Sequence, residues 1–487
     1  MKKLINFILL FIFCSCFSSI KTDALEVIYP KTQTVEVCAN SIFFVGNTEP
    51  GSKLKINDKD VKVYDNGSFV EVLNLKNGEN IIEIYSEKND ESITLTYTII
   101  KTNKKCTDIK EFSLEEFPAN EYIYASVVKD NTPLRKEPNE DSKRITHLNK
   151  NTILMLNGKK GDYYRVSLTT GQNAWVKAEN IINYSTITGK MLTPATNVNI
   201  TEDDLYTYIK TDLSFNVPFV IQEVDKGLNV ELFNIKHNDS DRTIFKSLGE
   251  VKSLAINNVS VDNNSIYHIE LKNRLWGYLA YYEGNTFVIK IRKEPQIEKK
   301  EPLKNLTFAI DAGHGGSDFG AVGPTGIKEK DINLDISKRL QTLLEEAGAK
   351  VIMTRTDDST VELYDRPKKA QKEDSIILIS IHANALPDGQ DPYVKHGTSV
   401  FYYNNESEKL ANELIDVLTK DLGTKNDGVC RCSFVMTRPT MPLSALIEVA
   451  YMIHPYEYSL LLEEDFRQSA AESIKKGITN FLVKEAR

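Results

Sequence analysis

Two histidines and two carboxylates are the residues of this chain best suited to chemistry, because each lies at the end of an apolar run. His314 comes first, Glu329 follows fifteen residues later, and His382 lies further along the chain. Two histidines and one carboxylate are typical ligands of a hydrolytic zinc ion, which keeps its fourth position for water. Glu448 could act as the base. Together these groups would be the minimum needed to hydrolyse an amide.

The surrounding pattern predicts where these residues lie in the fold. Residues 306–310 read as a buried strand that is broken by turn residues at 311–313. Glu329 opens a segment with apolar residues at helical spacing, and Gly348 is suited to end that helix. Residues 375–381 read as a second buried strand. Alternating strands and helices predict a largely parallel sheet, so the four candidates should gather at one rim of it.

Residues 305–483 resemble the catalytic domain of the zinc-dependent N-acetylmuramoyl-L-alanine amidases, of the type often called amidase 3. The resemblance covers about the last third of the chain and keeps the order of the family's motifs. The matching motifs are 311–316, 320–321, 326–334, 354–357, 363–366, 380–384 and 397–402.

The resemblance implies roles for single residues. It implies that His314, Glu329 and His382 bind Zn²⁺ and that Glu448 is the catalytic carboxylate. The chain departs from the family at 447–451, where it has Ile-Glu-Val-Ala-Tyr and many members have Glu-x-Gly-Phe. The glutamate is kept, so this departure bears on the floor of the substrate groove and not on the chemistry.

The remaining histidines have no neighbours in sequence that look like metal ligands. The sequence around these histidines therefore indicates no second metal site. His454, six residues after Glu448, could line the substrate groove. These histidines are His147, His237, His268, His396 and His454.

Composition limits the possible classes of protein. A chain of 487 residues with 41% hydrophobic content should hold several domains, each with its own core. A net charge of −8 argues against a nucleic-acid partner. No segment after the N-terminus is long and apolar enough to span a bilayer. We expect a monomer whose partner is peptidoglycan.

The N-terminus reads as an export signal over residues 1–24. Met1-Lys2-Lys3 is basic and residues 4–17 are nearly all apolar. The protein is therefore expected in the periplasm, the cell wall or the extracellular space. Lipidation at Cys14 or Cys16 stays open, although neither is preceded by a good lipobox.

The other four cysteines allow one long-range disulfide. Cys38 and Cys106 could pair in an oxidising compartment. Cys430 and Cys432 could form a strained small-loop disulfide, stay free or act as a redox-labile pair. Zinc binding by these two is disfavoured because a complete ligand set is present elsewhere.

Strand-like segments and turn residues predict three all-β modules before an α/β catalytic domain. Residues 25–106 resemble Ig-like sandwiches of bacterial surface proteins, residues 118–183 resemble bacterial SH3 domains, and residues 184–294 weakly resemble β-rich targeting domains. In the second module, Trp175 could fill a core or line a peptide cleft. Residues 295–304 read as a charged linker, so the catalytic domain, 305–487, is expected to fold alone.

The sequence thus predicts an exported peptidoglycan hydrolase that cleaves the amide between N-acetylmuramic acid and L-alanine. One alternative is a zinc peptidase acting within the stem peptide, although a carboxypeptidase-type enzyme would place its first ligands as His-x-x-Glu. The other is a catalytically inactive wall-binding scaffold, which would be expected to have lost a ligand or Glu448, and all four residues are present.

Overall fold

A computed structural model of the protein describes residues 25–102, 112–236, 242–245, 247–259 and 261–485. The predicted signal segment, Cys106 and His237 lie outside these residues. The described residues divide into two compact units. One unit is built on residues 25–102 with two short segments, 323–326 and 387–391, and the other holds the remaining residues.

The first unit contains two sheets around one hydrophobic core. A three-stranded sheet has the order β1-β3-β6 and a five-stranded sheet has the order β2-β8-β7-β4-β5. Alternate side chains such as Ile82 and Ile84 are buried, as expected for strands with one face on a core. Cys38 is disulfide-bonded. The strands are β1 (Leu25–Tyr29), β2 (Thr34–Val37), β3 (Ser41–Thr48), β4 (Lys53–Ile56), β5 (Lys59–Val61), β6 (Ser68–Asn74), β7 (Gly78–Lys88) and β8 (Glu91–Lys101).

The second unit begins with one strongly bent set of antiparallel strands. Its order is β12-β11-β15-β14-β13-β10-β16, and β9 pairs with β13. Trp175 is 8% exposed, which favours a structural role for it over a place in a peptide cleft. The strands are β9 (Glu115–Glu116), β10 (Glu121–Val127), β11 (Thr132–Arg135), β12 (Arg144–Leu148), β13 (Ile153–Lys160), β14 (Tyr163–Ser167), β15 (Asn173–Lys177) and β16 (Ile181–Thr188).

The next region is also built from strands alone. A four-stranded sheet, β18-β19-β27-β26, and a five-stranded sheet, β20-β21-β25-β24-β23, enclose one core, and β17 pairs with β22. The strands are β17 (Thr193–Pro194), β18 (Thr196–Glu202), β19 (Tyr206–Asp212), β20 (Phe219–Val224), β21 (Gly227–Phe233), β22 (Ile235–Lys236), β23 (Arg242–Phe245), β24 (Val251–Val259), β25 (Asn264–Leu271), β26 (Tyr278–Glu283) and β27 (Thr286–Arg292).

The C-terminal region combines a six-stranded mixed sheet with helices. The order is β29-β28-β30-β33-β31-β32; the first four strands are mutually parallel, and the last two run the opposite way. The strands are β28 (Thr307–Ala312), β29 (Lys350–Met353), β30 (Ile377–Asn384), β31 (Thr398–Tyr402), β32 (Asn426–Arg431) and β33 (Leu443–Tyr451). The helices are α1 (Glu329–Glu346), α2 (Asp365–Lys372), α3 (Glu408–Leu422), α4 (Pro455–Leu462) and α5 (Glu464–Glu485).

The strands of this sheet form where the apolar runs predicted them. Residues 377–381 of β30 are all buried because both faces of a parallel sheet are covered. Helix α1 begins at Glu329, as predicted, and Gly348 follows its end at φ +83°. The chain is therefore multidomain, mostly β in its N-terminal region, with a mixed sheet and helices in its C-terminal region.

The core of the C-terminal region includes residues that precede its first strand. Trp276 is fully buried in this core, where its ring meets that of Phe481 at 6.0 Å between centroids. Leu303, at the end of the predicted linker, is also buried there. The predicted linker is therefore packed at its C-terminal end, and a fragment starting at residue 305 would lack part of its own core.

The described helices include none that is long and apolar enough to cross a membrane.

Candidate metal centre

Three of the predicted site residues meet at the edge of the mixed sheet where β28 and β30 end. The Nε2 atom of His314 lies 3.2 Å from Oε1 of Glu329, and Nδ1 of His382 lies 2.9 Å from the same oxygen. One ligand atom from each residue lies within 4.8 Å of the others. The geometry therefore brings together two imidazoles and one carboxylate that could hold a metal ion.

Each of these side chains is held by a different element. His314 lies in the loop after β28 with φ +61°, His382 lies in β30, and Glu329 is the first residue of α1. Gly313 lies beneath the His382 ring, and a Cβ atom at this position would come within 2.3 Å of ring carbon Cε1. A glycine is therefore required for the loop to pass this close to the ring.

Two buried arginines fix the backbone of the His314 loop. Arg355 donates from Nε to the carbonyl of Ala312 and from Nη2 to that of Gly313, each at 2.9 Å. Arg366 donates from Nη1 to the carbonyl of Ala312 at 2.9 Å and from Nη2 to that of His314 at 2.8 Å. Because buried carbonyls need partners, these guanidinium groups stabilise an otherwise unfavourable left-handed turn.

Further contacts orient the ligands themselves. The Nδ1 atom of His314 lies 2.9 Å from Oδ2 of Asp318, which leaves Nε2 to face Glu329. Asn333 donates to Oε1 of Glu329 at 3.0 Å, and the backbone N–H of Ala321 donates to Oε2 at 2.8 Å. A histidine that donates one ring N–H to a carboxylate is the usual arrangement around a protein-bound metal.

The charges of the cluster support one another. Burial alone would raise the pKa of Glu329, but the hydrogen bonds and charges of His314 and His382 hold it well below its usual range. Burial alone would lower the pKa of His314, but Glu329 and Asp318 raise it to about 9. Glu329 also raises the pKa of His382. The carboxylate and the two imidazoles therefore favour one another's charged forms.

Glu448 lies beside this cluster on β33, where it is in register with His382 on β30. Burial raises the pKa of Glu448 to about 8, although the charge of His382 opposes the rise. Its Oε2 atom is closed off from solvent and has no hydrogen-bond partner among the described residues. A buried carboxylate oxygen without a partner is costly, which indicates a group that binds a ligand, a water or a substrate.

The structure also corrects one expectation about the other histidines. His396 and His454 do have ligand-like neighbours, because both lie beside Glu457 with one atom of each within 4.8 Å of the others. His396 lies about sixty residues from the other two, whereas the spacing of His454 and Glu457, three residues apart, was visible in the sequence. In contrast, His147 is half-buried, and this burial lowers its pKa to about 4, whereas His268 contacts Asn229.

Several residues that position the site carried no assigned role in the sequence. Asn333, Arg355 and Arg366 lie within motifs of the family resemblance, so that resemblance was the only available signal for them. Asp318 lies outside those motifs. Cys430 and Cys432, for which a disulfide was one alternative, are free thiols.

Comparison with known proteins places the C-terminal region in a family. Residues 308–480 match the family model described as N-acetylmuramoyl-L-alanine amidase. The chain is 32% identical to the N-acetylmuramoyl-L-alanine amidase LytC of Bacillus subtilis over 202 residues, which are 41% of this chain and 39% of LytC. It is 35% identical to the uncharacterized protein YqiI of Bacillus subtilis over 191 residues, which are 38% of this chain and 90% of YqiI.

Among solved structures, the chain is similar to the N-acetylmuramoyl-L-alanine amidase AmiC2 of Nostoc punctiforme. The two are 33% identical, the match covers 38% of this chain and 98% of AmiC2, and the TM-score is 0.35. The chain spans only about two fifths of the length of LytC, so the match concerns the C-terminal region. Through that region, and through its likeness to nearly all of YqiI, this chain belongs to the N-acetylmuramoyl-L-alanine amidase family.

Proposed function

We propose that this protein hydrolyses the amide bond between N-acetylmuramic acid and the L-alanine of the peptidoglycan stem peptide. One observation carries the proposal: the unpartnered carboxylate oxygen of Glu448 lies beside the cluster of His314, Glu329 and His382. This arrangement combines a metal-ligand set with a proton-transfer group, and the family matches give the bond on which such a site acts.

The three clustered residues would hold Zn²⁺. Their chemistry fits the ion, because two imidazole nitrogens and one carboxylate are common ligands of catalytic zinc, and His314 and Glu329 are held by further hydrogen bonds from outside the set. When bound, Zn²⁺ supplies Lewis acidity that polarises a carbonyl and makes water more acidic.

Glu448 would move the proton that this hydrolysis requires. Its carboxylate accepts a proton from the attacking water and then donates it to the L-alanine nitrogen as the C–N bond breaks. A pKa raised by burial suits this role, because a group that both accepts and donates a proton works best near the working pH. Arg355 and Arg366 would contribute by keeping the His314 loop rigid.

The N-terminal β-rich regions would bring this site to its substrate. We propose that residues 1–24 direct export, that residues 25–106 form an Ig-like spacer, and that residues 118–183 and 184–294 form SH3-like and targeting modules that contact the cell wall. The many strands of these regions and the buried Trp175 support modules with stable cores. The partner of the whole chain would be peptidoglycan in the periplasm or the cell wall.

Digestion of a defined muropeptide tests the proposed reaction. The full chain, supplied with Zn²⁺, is incubated with N-acetylmuramyl-pentapeptide, and the products are identified by mass spectrometry. We expect free N-acetylmuramic acid and a peptide with a free L-alanine amino group. Glu448→Gln should abolish this reaction, whereas Glu464→Gln, a matched change at the exposed start of α5, should not.

Other products would support the alternatives. A peptidase would leave L-alanine attached to the sugar and release shorter peptides, and a scaffold would leave the muropeptide intact. Either result with a zinc-loaded chain would contradict the proposed amidase activity.

A further inference from the structure

A second cluster of titratable side chains lies at the sheet edge that carries the candidate metal centre. Its carboxylate, Glu457 of α4, is 3% exposed. The Oε1 atom lies 2.6 Å from Nδ1 of His396, and Oε2 accepts the backbone N–H groups of Gly397 at 3.2 Å and Tyr451 at 2.8 Å. Both oxygens of Glu457 are therefore occupied within the protein.

These contacts define the proton positions on the two histidines of the cluster. Because the Glu457 carboxylate accepts, Nδ1 of His396 carries the hydrogen and the Nε2 of the neutral ring is an acceptor. Nδ1 of His454 accepts the backbone N–H of Glu457 at 3.2 Å, so the hydrogen of the neutral His454 ring is on Nε2. Burial lowers the pKa of His454, which favours its neutral form.

The two rings present their Nε2 edges side by side. They stack with 4.4 Å between centroids and 8° between planes, and both Nδ1 atoms face Glu457. Neither Nε2 atom has a protein partner within the part of the chain that is described, and neither is closed off from solvent. Tyr393, 41% exposed, borders His454 at 5.7 Å. The pair therefore offers one acceptor and one donor next to an aromatic ring.

This arrangement argues against a second metal ion. A metal needs several free lone pairs, but both oxygens of Glu457 already accept hydrogen bonds and Nε2 of His454 carries a hydrogen. Of the ring nitrogens, only Nε2 of His396 has a free lone pair. An adjacent donor and acceptor instead match the N–H and C=O groups of one residue in an extended peptide, which point to the same side of the chain.

We propose that the paired Nε2 atoms of His396 and His454 bind the backbone of one residue of the substrate's stem peptide. The C=O group of that residue accepts the hydrogen bond from His454, and its N–H group donates to His396. This proposal rests on the proposed amidase function and adds a binding subsite to it.

The sheet gives the distance between this subsite and the scissile bond. Glu448 and Tyr451 lie three residues apart on β33, and Tyr451 donates directly to Glu457. Three strand residues span up to about 10 Å, about the length of three residues of an extended peptide, and the register shift between β30 and β33 in this stretch shortens that span. The bound residue therefore lies away from the scissile bond and belongs to the outer part of the stem peptide.

Asparagine substitutions separate this role from a structural one. The side-chain amide of asparagine can replace Nδ1 of histidine, so His396→Asn retains a donor to Glu457 and His454→Asn retains the cap of α4. Both changes remove the Nε2 edge. His268→Asn on β25, where the histidine contacts Asn229, is the matched control.

The test measures KM and kcat of the full zinc-loaded chain with three substrates: N-acetylmuramyl-dipeptide, N-acetylmuramyl-pentapeptide and a disaccharide-dipeptide. For the double variant His396→Asn and His454→Asn we expect KM to rise about tenfold with the pentapeptide and to stay unchanged with the dipeptide, with little change in kcat. The disaccharide-dipeptide should behave as the dipeptide does, because both lack the outer residues of the stem peptide.

Two results would overturn the subsite: an unchanged KM of the double variant with all three substrates, or two bound zinc ions per unmutated chain that fall to one in the double variant. Calorimetric binding of the pentapeptide to the Glu448→Gln chain tests it independently of turnover. Lack of turnover by the unmutated chain would contradict the proposed function, whereas equal pentapeptide affinity with and without the two asparagine substitutions would contradict the subsite alone.

Discussion

Replacing Trp276 should destabilise the catalytic region, although this residue precedes its first strand by about thirty positions. Trp276 is fully buried in the catalytic core, with the Phe481 ring at 6.0 Å and the Arg274 guanidinium at 5.0 Å from its own ring. Removing a buried aromatic side chain to alanine costs about 3–5 kcal/mol of unfolding free energy. For a region of this size, 1 kcal/mol corresponds to about 2–4 °C, so the melting temperature should fall by about 6–20 °C.

Trp276→Phe should destabilise the catalytic region far less than Trp276→Ala. The indole Nε1 atom is buried and has no partner among the described residues, so its removal relieves a cost of about 1–3 kcal/mol that offsets part of the lost packing. We therefore expect Trp276→Phe to lie within about 1 kcal/mol of the unmutated chain.

Differential scanning calorimetry of the full chain, with loss of amidase activity on heating as the second readout, measures the effect. Trp175→Ala is the control, because Trp175 is buried on β15, outside the catalytic core, so its loss should leave the catalytic transition in place. The reasoning would be refuted if Trp276→Ala shifted the catalytic transition by less than about 2 °C. It would equally be refuted if a fragment of residues 305–487 melted at the temperature of the full chain.

Three further predictions concern the candidate metal centre. Because Glu329 and Asp318 raise the pKa of His314 to about 9, zinc binding at pH 7 should release protons, and the affinity for zinc should increase as the pH rises toward 9. Calorimetry in two buffers of different ionisation enthalpy measures the proton release, and equal apparent binding enthalpies in the two buffers would contradict it. Arg366→Lys should weaken zinc binding about 10–100-fold in a chelator competition, whereas Arg339→Lys, a control on α1 that pairs with Asp335 instead of the His314 loop, should leave it unchanged. Glu448→Gln should keep its zinc and His382→Ala should lose it, as metal analysis after dialysis would show; equal loss would mean that Glu448 is a ligand.

The sequence predicted the mixed sheet and the meeting of the candidate ligands well, because both depend on local signals. Apolar runs predicted β28 and β30, the helical spacing after Glu329 predicted α1, and parallel strands bring their ends to one edge. Glu448 was expected at a strand end, but β33 continues to Tyr451. The roles of these residues as ligands and base remain predictions.

Other features could not be predicted because they depend on tertiary contacts between distant segments. The apolar Trp276 looked like part of a β-rich module, and no periodicity shows that its ring packs against Phe481 instead. The charged residues of 295–304 indicated an exposed linker, yet Leu303, near the end of this segment, packs into the catalytic core. His396 and Glu457 are separated by 61 residues, and only the fold brings them together.

The two arginines that hold the His314 loop have a consequence for how metal supply would act on this protein. Their guanidinium groups satisfy the carbonyls of Ala312, Gly313 and His314 through contacts within the protein. We therefore expect that folding does not need the ion, unlike in small zinc domains that unfold without it. A chelator should therefore abolish the activity of such a protein without making it sensitive to proteases. Adding zinc back should restore the activity of the same molecules, with no need for new protein synthesis.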